Sequence, residues 1–155
     1  MEMKAIGSIR AQEGFAVELA DEYATGLSGL RGFSHVVVLW HPHEVPDWDG
    51  SALTTPKPYR LAPDSLGIFA TRSPWRPNGI AMSVAEIVAV DEKKGTVSLA
   101  WIDADHESPV LDIKPYHPSS DRIRDARVPD WCAHWPACYE ESGAFDWEGE
   151  FLFPS

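Results

Sequence analysis

The length, composition and charge of this chain exclude several classes of protein. Its 155 residues suffice for one domain with its own core, so we predict a single domain over 1–155. The net charge of −11 disfavours generic nucleic-acid binding, which depends on clustered Lys and Arg. The longest clean apolar run, 36–40, is far shorter than the ~20 residues of a membrane helix, and two cysteines make no disulfide framework. We therefore expect a cytoplasmic protein that does not enter a membrane.

Short segments of β-type sequence dominate the chain. Its 13 prolines and 11 glycines oppose long helices and suit short strands joined by turns. The predicted strands share β-branched or alternating apolar residues and lie at 4–10, 15–19, 33–40, 66–71, 80–90, 96–101 and 110–116. Closure is the usual arrangement for many short antiparallel strands. We therefore predict an all-β fold, a single-sheeted antiparallel β-barrel with one or two short helices.

Local patterns add detail to this outline. The strand at 33–40 is apolar on both faces, which predicts burial on both. A turn at 91–95 joins two strands into a hairpin whose buried face includes Trp101. The best helix candidate, 20–30, has Asp21 as its expected N-cap, and a glycine at 26 or 29 would end it.

The end of the chain differs in composition from the rest. Beyond a barrel core of about 4–130, the segment 131–155 is rich in tryptophan and acidic residues. Trp131, Trp135 and Tyr139 are spaced by four residues, which predicts that they cover one face of a helix.

The segment from Gly67 to Ser83 carries the sharpest group of polar side chains. Proline fixes its own φ and favours extended geometry in the residue before it, so Ser73 and Arg76 do not suit a helix. Arginine presents a rigid donor fork to carboxylates and stacks on planar rings. We interpret the segment as a stiff loop that holds an anionic or planar polar ligand. The alternative is a hairpin connection whose arginines meet surface acids and whose Asn78-Gly79 pair is only a turn.

The strand near residue 113 presents a second polar group. Leu111 and Ile113 point to one face, while Asp112, Lys114 and Tyr116 point to the other. These polar side chains are either a functional face or a solvated one with an ion pair between residues two apart.

Two segments contain metal-type ligands without a complete set, and we predict no metal site. The loop at 41–57 offers two histidines and three acids, and the C-terminal segment offers two cysteines and a histidine whose spacing matches no zinc finger. These residues are His41, His43, Glu44, Asp47 and Asp49 in the loop, and Cys132, His134 and Cys138 near the end.

Four motifs in order resemble the TrmO family, whose members are also called YaeB-like or TsaA-like. The first is Phe-Ala-Thr-Arg-Ser-Pro-Trp-Arg-Pro-Asn at 69–78, and the second is Leu-Arg-Gly-Phe-Ser-His at 30–35. The third is Pro-Val-Leu-Asp-Ile-Lys-Pro-Tyr at 109–116, and the fourth is Asp-Ala-Arg-Val at 125–128. The likeness covers about 4–130.

The resemblance implies a barrel that binds S-adenosylmethionine, works as a homodimer and methylates N6 of threonylcarbamoyl-adenosine beside the tRNA anticodon. Separately from the resemblance, we hypothesise that Asp112 or Tyr116 orients the methyl acceptor as the catalytic residue, because the nitrogen must lose its proton. Carried over by motif, the residues that would bind the cofactor are His43, Glu44, Arg72, Ser73, Met82, Glu107, Ser108, Pro109 and Val110.

Two departures from the family pattern bear on the site. Gly79 stands where the family has the second proline of Pro-Asn-Pro, which predicts a looser turn. Glu107 stands where the family has the glycine of Asp-Gly-Thr-Pro, which adds a charge and changes the permitted backbone angles.

Three functions remain open from the sequence. The first is a tRNA methyltransferase, the second is a methyltransferase of the same fold acting on a small molecule, which the acidic charge favours, and the third is a cofactor-binding sensor without turnover. The tRNA hypothesis needs a basic surface, and its candidate residues are Lys57, Arg60, Arg76, Arg122, Arg124 and Arg127.

Overall fold

The structure, a computed structural model, describes residues 2–152, so Met1 and residues 153–155 of the predicted domain and C-terminal segment lie outside it. Its strands are β1 (Gly7–Arg10), β2 (Phe15–Leu19), β3 (His35–Trp40), β4 (Thr54–Pro56), β5 (Ser65–Gly67), β6 (Ala81–Asp91), β7 (Thr96–Leu99) and β8 (Pro109–Pro115). Six of them close into one antiparallel barrel in the order β1-β2-β7-β6-β3-β8, and β4 pairs only with β5. The predicted all-β, single-sheeted barrel is confirmed.

The helices of the described residues are all short. Three 3₁₀ segments cover Asp21–Leu27, Ile68–Ala70 and Asp130–Cys132, and the α-helices are α1 (Pro118–Asp121), α2 (Tyr139–Ser142) and α3 (Trp147–Glu150). No helix within residues 2–152 has both the length and the apolar character that a membrane crossing requires.

Aliphatic side chains fill the barrel because every second residue of its strands points inward. The fully buried ones include Ile9, Val17, Val36, Val38, Ala85, Val97 and Val110. In β3 the burial alternates, with Val36, Val38 and Trp40 buried and their neighbours half-buried. The prediction that both faces of this strand are buried is therefore wrong for the outer face.

A β-bulge interrupts the alternation predicted for β8. Trp40 pairs with Val110 whereas Leu39 pairs with Asp112, so Leu111 is the extra residue in the ladder. Ile113 packs against the core as predicted, but on the other side of the bulge the buried residue is Val110.

The short helix near the start of the chain forms as a 3₁₀ helix, and Asp21 is not its N-cap. Ala20 occupies that position, without a side-chain hydrogen bond, and Asp21 lies in the first turn. A negative charge is still favourable there because the helix N-terminus carries a partial positive charge. Gly29 follows the helix with φ of 83°, which agrees with its predicted role in ending it.

The predicted strand at 66–71 ends early. β5 stops at Gly67, and Ile68–Ala70 forms a 3₁₀ turn that the Thr71 hydroxyl closes by donating to the Ile68 carbonyl at 2.8 Å. Trp101 is also misplaced in the prediction. It is 53% exposed because β7 ends at Leu99, before the alternation reaches it.

The C-terminal segment, defined here as residues 130–152, does not form the predicted continuous helical face. Pro136 interrupts it, since proline lacks the N–H that a helix interior needs. Trp131 stacks on Tyr59 with ring centroids 5.4 Å apart, and Trp135 meets the same ring edge-on at 5.0 Å. Tyr139 instead contacts His35, at 5.7 Å.

Candidate functional site

Three strand ends meet at one end of the barrel. β3 lies between β6 and β8, so Trp40 pairs with both Ala81 and Val110. The next residue, His41, donates its backbone N–H to the Pro109 carbonyl at 2.9 Å. This arrangement places the loop after β3 beside the start of β8 and the start of β6, which are distant from it in sequence.

His43, Glu44 and Ser108 form one contact group at this end. The Nδ1 atom of His43 lies 3.2 Å from the Ser108 hydroxyl, and its Nε2 atom lies 3.3 Å from a Glu44 carboxylate oxygen. Ser108 is fully buried, while Glu44 is exposed. The buried hydroxyl therefore orients an imidazole whose other nitrogen faces the open side of the loop.

Residues 71–80 form a loop rich in arginine and proline, called the Arg/Pro loop here. Arg72 connects this loop to the same end of β6. Its Nη2 atom donates to the Met82 carbonyl at 3.0 Å, and the residue is exposed. The neighbouring Ser73 uses its backbone N–H on the Thr71 hydroxyl at 3.3 Å. An arginine carries several N–H donors, so this single bond fixes the guanidinium and leaves donors for a ligand.

Glu107 adopts the backbone conformation that glycine would adopt most easily. Its φ is 66°, a positive value that no other non-glycine residue of 2–152 has. Its N–H donates to the Ile9 carbonyl at 2.8 Å, and its carboxylate pairs with Arg10 at 3.3 Å. Glu18 also binds Arg10, and its hydrogen bond is the largest cause of the raised pKa of that guanidinium. The added charge is therefore partly neutralised by Arg10 of β1, which Glu107 shares with Glu18 of β2.

The two predicted catalytic residues are not brought together. Asp112 pairs with Leu39, whose partner on the other side is Met82, so Asp112 lies across β3 from the residue that Arg72 contacts. Tyr116 donates its N–H to His35, the first residue of β3. With a rise of ~3.3 Å per residue, the length of β3 separates Tyr116 from the site by roughly 17 Å. Tyr116 therefore lies at the far end of β3 from the Arg72–Met82 contact, and the assignment of Asp112 or Tyr116 to the methyl acceptor stays a prediction.

The polar face of β8 contains the ion pair that the sequence left as an alternative. Lys114 Nζ donates to the Asp112 carboxylate, with side chains 64% and 42% exposed. Such an exposed pair contributes little to stability. Because the Asp112 side chain is 42% exposed, its carboxylate can also accept from another donor.

Residues 2–152 contain no cluster of three or more His, Cys, Asp or Glu side chains arranged to hold a metal. His41 contacts the Gly79 carbonyl at 3.0 Å whereas His43 contacts Ser108, so the two rings diverge. Cys132 is buried and Cys138 is exposed, and burial is the main cause of the raised pKa of the Cys132 thiol.

A cleft that the sequence did not reveal lies beside the contact group of His43, Glu44 and Ser108. It has a volume of about 250 Å³ and is lined by residues of the loop after β3 and of the Arg/Pro loop, among them His41, Asp47, Trp48 and Arg76. The sequence pattern indicates Asp47 only as a possible metal ligand, and it indicates no role for Trp48. The available signal was the pair of prolines in each loop, which stiffens both walls.

Comparison with known proteins identifies relatives of this chain. The sequence profile of the tRNA-methyltransferase O N-terminal domain matches residues 5–122. A probable S-adenosyl-L-methionine-binding protein of Pyrococcus abyssi is 35% identical over 113 residues, which cover 72% of this chain and 57% of the relative. A tRNA (adenine(37)-N6)-methyltransferase of Escherichia coli is 39% identical over 106 residues, which cover 66% of this chain and 44% of the relative.

A solved structure agrees with these sequence matches. The crystal structure of TrmO from Pseudomonas aeruginosa superposes with a TM-score of 0.63 at 30% identity, covering 82% of this chain and 60% of that one. The match thus spans little more than half of the first relative and less than half of the Escherichia coli protein.

Proposed function

Because the chain belongs to the family of tRNA-methyltransferase O N-terminal domains, we propose that it is an S-adenosylmethionine-dependent methyltransferase. Its proposed reaction is N6-methylation of threonylcarbamoyl-adenosine beside a tRNA anticodon. The names of the Pyrococcus abyssi and Escherichia coli relatives support the cofactor and the reaction. The observation that carries the proposal is the convergence of the Arg72–Met82 contact and the His43–Ser108 contact at one end of the barrel.

The residues at this end fit the cofactor. Arg72 is exposed and already held on one side by Met82, so its remaining donors suit the cofactor's carboxylate. Met82 is 49% exposed, so its side chain offers the cofactor an apolar surface next to that guanidinium. The backbone from Ser108 to Val110 is fixed by β8 and by His41, and we assign it to the adenosine part.

The chain contributes mainly position to the transfer. When bound, S-adenosylmethionine supplies a methyl group whose leaving group is neutral, so charge stabilisation matters less than alignment. We assign Asp112 to accept a hydrogen bond from the N–H of the acceptor nitrogen, because a carboxylate acceptor supports the loss of that proton. The remaining residues of the motif set, Ser73, Glu44, Glu107 and Pro109, we assign to the walls of the cofactor site.

Isothermal titration with S-adenosylmethionine tests the binding step. Arg72→Ala should weaken binding by about 2 kcal/mol or more, as expected for a lost hydrogen bond to a charged group. Arg31→Ala is a matched control, since Arg31 likewise donates one hydrogen bond to a carbonyl of β6, that of Val90 at 3.2 Å. The control should bind as the wild type does. A wild-type protein that binds no cofactor would end the proposal.

Methyl transfer from labelled cofactor tests the acceptor. Label in bulk tRNA supports the proposed reaction, and label in a small-molecule extract supports the second candidate, which the net charge of −11 favours. Binding without any labelled product would indicate a sensor. Among the basic residues expected to face tRNA, Arg60 is paired with Glu150, while the three arginines at 122, 124 and 127 are exposed.

We further propose a single domain over 1–155, a homodimer and a cytoplasmic location. The packing of the C-terminal segment on Tyr59 supports the single domain, because it joins that segment to the loop before β5. Light scattering on the purified protein tests the dimer, and a mass of one chain would contradict it.

A further inference from the structure

The cleft beside the cofactor residues is a separate site with its own chemistry. It lies between the loop after β3 and the Arg/Pro loop, and none of the residues assigned to the cofactor lines it. Both loops nevertheless serve both sites, since His43 and Arg72 belong to the same two loops. A ligand in the cleft would therefore lie next to the bound cofactor.

The walls of the cleft are pre-formed. Pro42 and Pro46 stiffen one wall, and Pro74 and Pro77 stiffen the other. The Nδ1 atom of His41 lies 3.0 Å from the Gly79 carbonyl and ties the two walls together. A cleft of this kind needs little ordering when a ligand enters, and such pre-organisation favours affinity.

The lining offers an aromatic ring and two charged side chains that form no ion pair. Trp48 donates its indole N–H to the Ala52 carbonyl at 3.0 Å, so the ring is fixed and its π-face is its remaining group. Asp47 and Arg76 also line the cleft, and neither forms an ion pair with another residue of 2–152. The Arg76 guanidinium lies 5.9 Å from the Phe69 ring centroid and donates to the Ile68 carbonyl at 3.5 Å, which leaves its other N–H donors for a ligand. Opposite charges beside a fixed aromatic ring suit a planar ligand that has both hydrogen-bond donors and an anionic group.

The size of the cleft limits what it holds. Its volume of about 250 Å³ is below the range of ~300–1,000 Å³ typical of sites that enclose a drug-sized ligand. The cleft therefore suits one heterocyclic ring system better than a complete nucleoside with its amino-acid part.

We propose that this cleft receives the nucleobase that accepts the methyl group, stacked on Trp48, with Arg76 facing an adjacent anionic group. Asp47 would accept from an N–H of the substituent next to the ring, since the N–H of the acceptor nitrogen is assigned to Asp112. The inference rests on the proposed methyltransferase function. Enzymes that modify a base commonly take it out of its stack into a pocket that reads its edge by hydrogen bonds and its face by stacking. The assignment adds an acceptor site to the cofactor site, a few residues away on the same loops.

Three measurements on each variant test this assignment: the dissociation constant for bulk tRNA, the dissociation constant for S-adenosylmethionine and the tRNA concentration that gives half the maximal methylation rate. Trp48→Ala and Asp47→Asn should raise both tRNA values by about ten-fold or more, as for the loss of one base stack or one charged contact. Their affinity for S-adenosylmethionine should stay within about two-fold of the wild type. Trp48→Phe keeps an aromatic face and should restore most of the tRNA affinity.

Two controls match these variants. Asp49→Asn removes a neighbouring carboxylate that instead accepts from the Ser51 N–H at 2.9 Å and does not line the cleft. Trp101→Ala removes an exposed indole outside the cleft. Both should behave as the wild type does.

The possible failures are distinguishable. Wild-type tRNA values in Trp48→Ala and Asp47→Asn would overturn the acceptor site alone and leave the proposed function intact. A loss of cofactor affinity in these variants would assign the cleft to the cofactor instead. A wild-type protein that binds the cofactor but neither binds nor methylates tRNA would overturn the acceptor site together with the tRNA reaction, and one that binds no cofactor would overturn the methyltransferase itself.

Discussion

The barrel and the C-terminal segment bury their side chains in different ways. In the barrel, six strands align the backbone by hydrogen bonds, and aliphatic side chains fill the interior. The C-terminal segment contributes no strand to the barrel and consists of short helical turns whose aromatic rings pack on one another beside one buried carboxylate. Continuous ladders make a cooperative unit, whereas a segment held by a few ring contacts and one buried charge can open on its own.

Glu150 is the centre of the C-terminal segment. It is 1% exposed, with Oε2 at 2.9 Å from His134 Nε2 and 3.5 Å from Arg60 Nε. Burial raises the pKa of this carboxyl, but His134, the Trp135 indole and Arg60 together outweigh burial and hold the pKa below its usual range. Neither Trp135 Nε1 nor Glu150 Oε1, however, forms a hydrogen bond of good geometry with any residue of 2–152.

Two backbone hydrogen bonds attach the segment to the rest of the chain. Arg60 donates to the Glu150 carbonyl at 3.0 Å, and Leu152 donates to the Pro58 carbonyl at 2.9 Å. Between them lies Tyr59, whose pKa is raised mainly by burial and lowered in part by the Arg72 backbone. The C-terminal segment thus packs on a loop that also borders the proposed cofactor arginine.

The largest effect should come from the barrel. Ile9→Ala removes a fully buried side chain, so we expect the free energy of unfolding to fall by about 2–5 kcal/mol. Urea unfolding measures this, and Ile123→Ala is the matched control because Ile123 is 76% exposed. Equal losses in the two variants would contradict the description of the core.

Glu150→Gln should act locally. The variant loses hydrogen bonds to a charged group, which contribute about 1.5–3 kcal/mol, and we expect the cost to appear as opening of the C-terminal segment. Hydrogen exchange of the Arg60 and Leu152 amides should become faster while the barrel amides keep their protection. Glu148→Gln, an exposed acid on the same helix, should leave both unchanged. Faster exchange throughout the barrel would show that the two regions unfold together.

Acid should remove the same contribution. A carboxyl whose pKa is lowered by folding stabilises the native state above its unfolded pKa of ~4.3, and this contribution is lost as the pH falls through the folded pKa. The difference in unfolding free energy between wild type and Glu150→Gln should therefore be constant from pH 7 to about pH 5 and shrink below about pH 4. A difference that grows on acidification would show that the pKa of Glu150 is raised instead.

The smallest effect should come from the turn before β8, at one end of the barrel. Glu107→Gly should raise the free energy of unfolding by about 0.5–1 kcal/mol, because a left-handed backbone costs a non-glycine residue about 1–2 kcal/mol and the exposed pair with Arg10 contributes less. Glu107→Ala is the control that removes the ion pair and keeps the strain. Chemical denaturation should show that Glu107→Gly is more stable than Glu107→Ala. The reverse order would contradict the claim that the backbone at residue 107 is strained.

Features that depend on near neighbours could be predicted from the sequence alone. The hairpin of β6 and β7 was predictable because its alternating residues and its turn lie within about twenty positions. The lack of helix at Ser73 and Arg76 was predictable because proline restricts its own residue and the one before it. The motifs that resemble the family also indicate His43, Arg72, Met82 and Ser108 as members of one site.

Contacts between distant residues, and the burial of particular side chains, could not be predicted in this way. The cleft between Trp48 and Arg76 exists because β3 and β6 are neighbours, and no local pattern encodes that pairing. The separation of Tyr116 from the site follows from the direction of β8 along β3. Glu150 looked like one of many surface acids, yet it is buried because His134 and Arg60 approach it from other segments. Burial and charge pairing depend on the whole fold, and the residues that supply them are far apart in the chain.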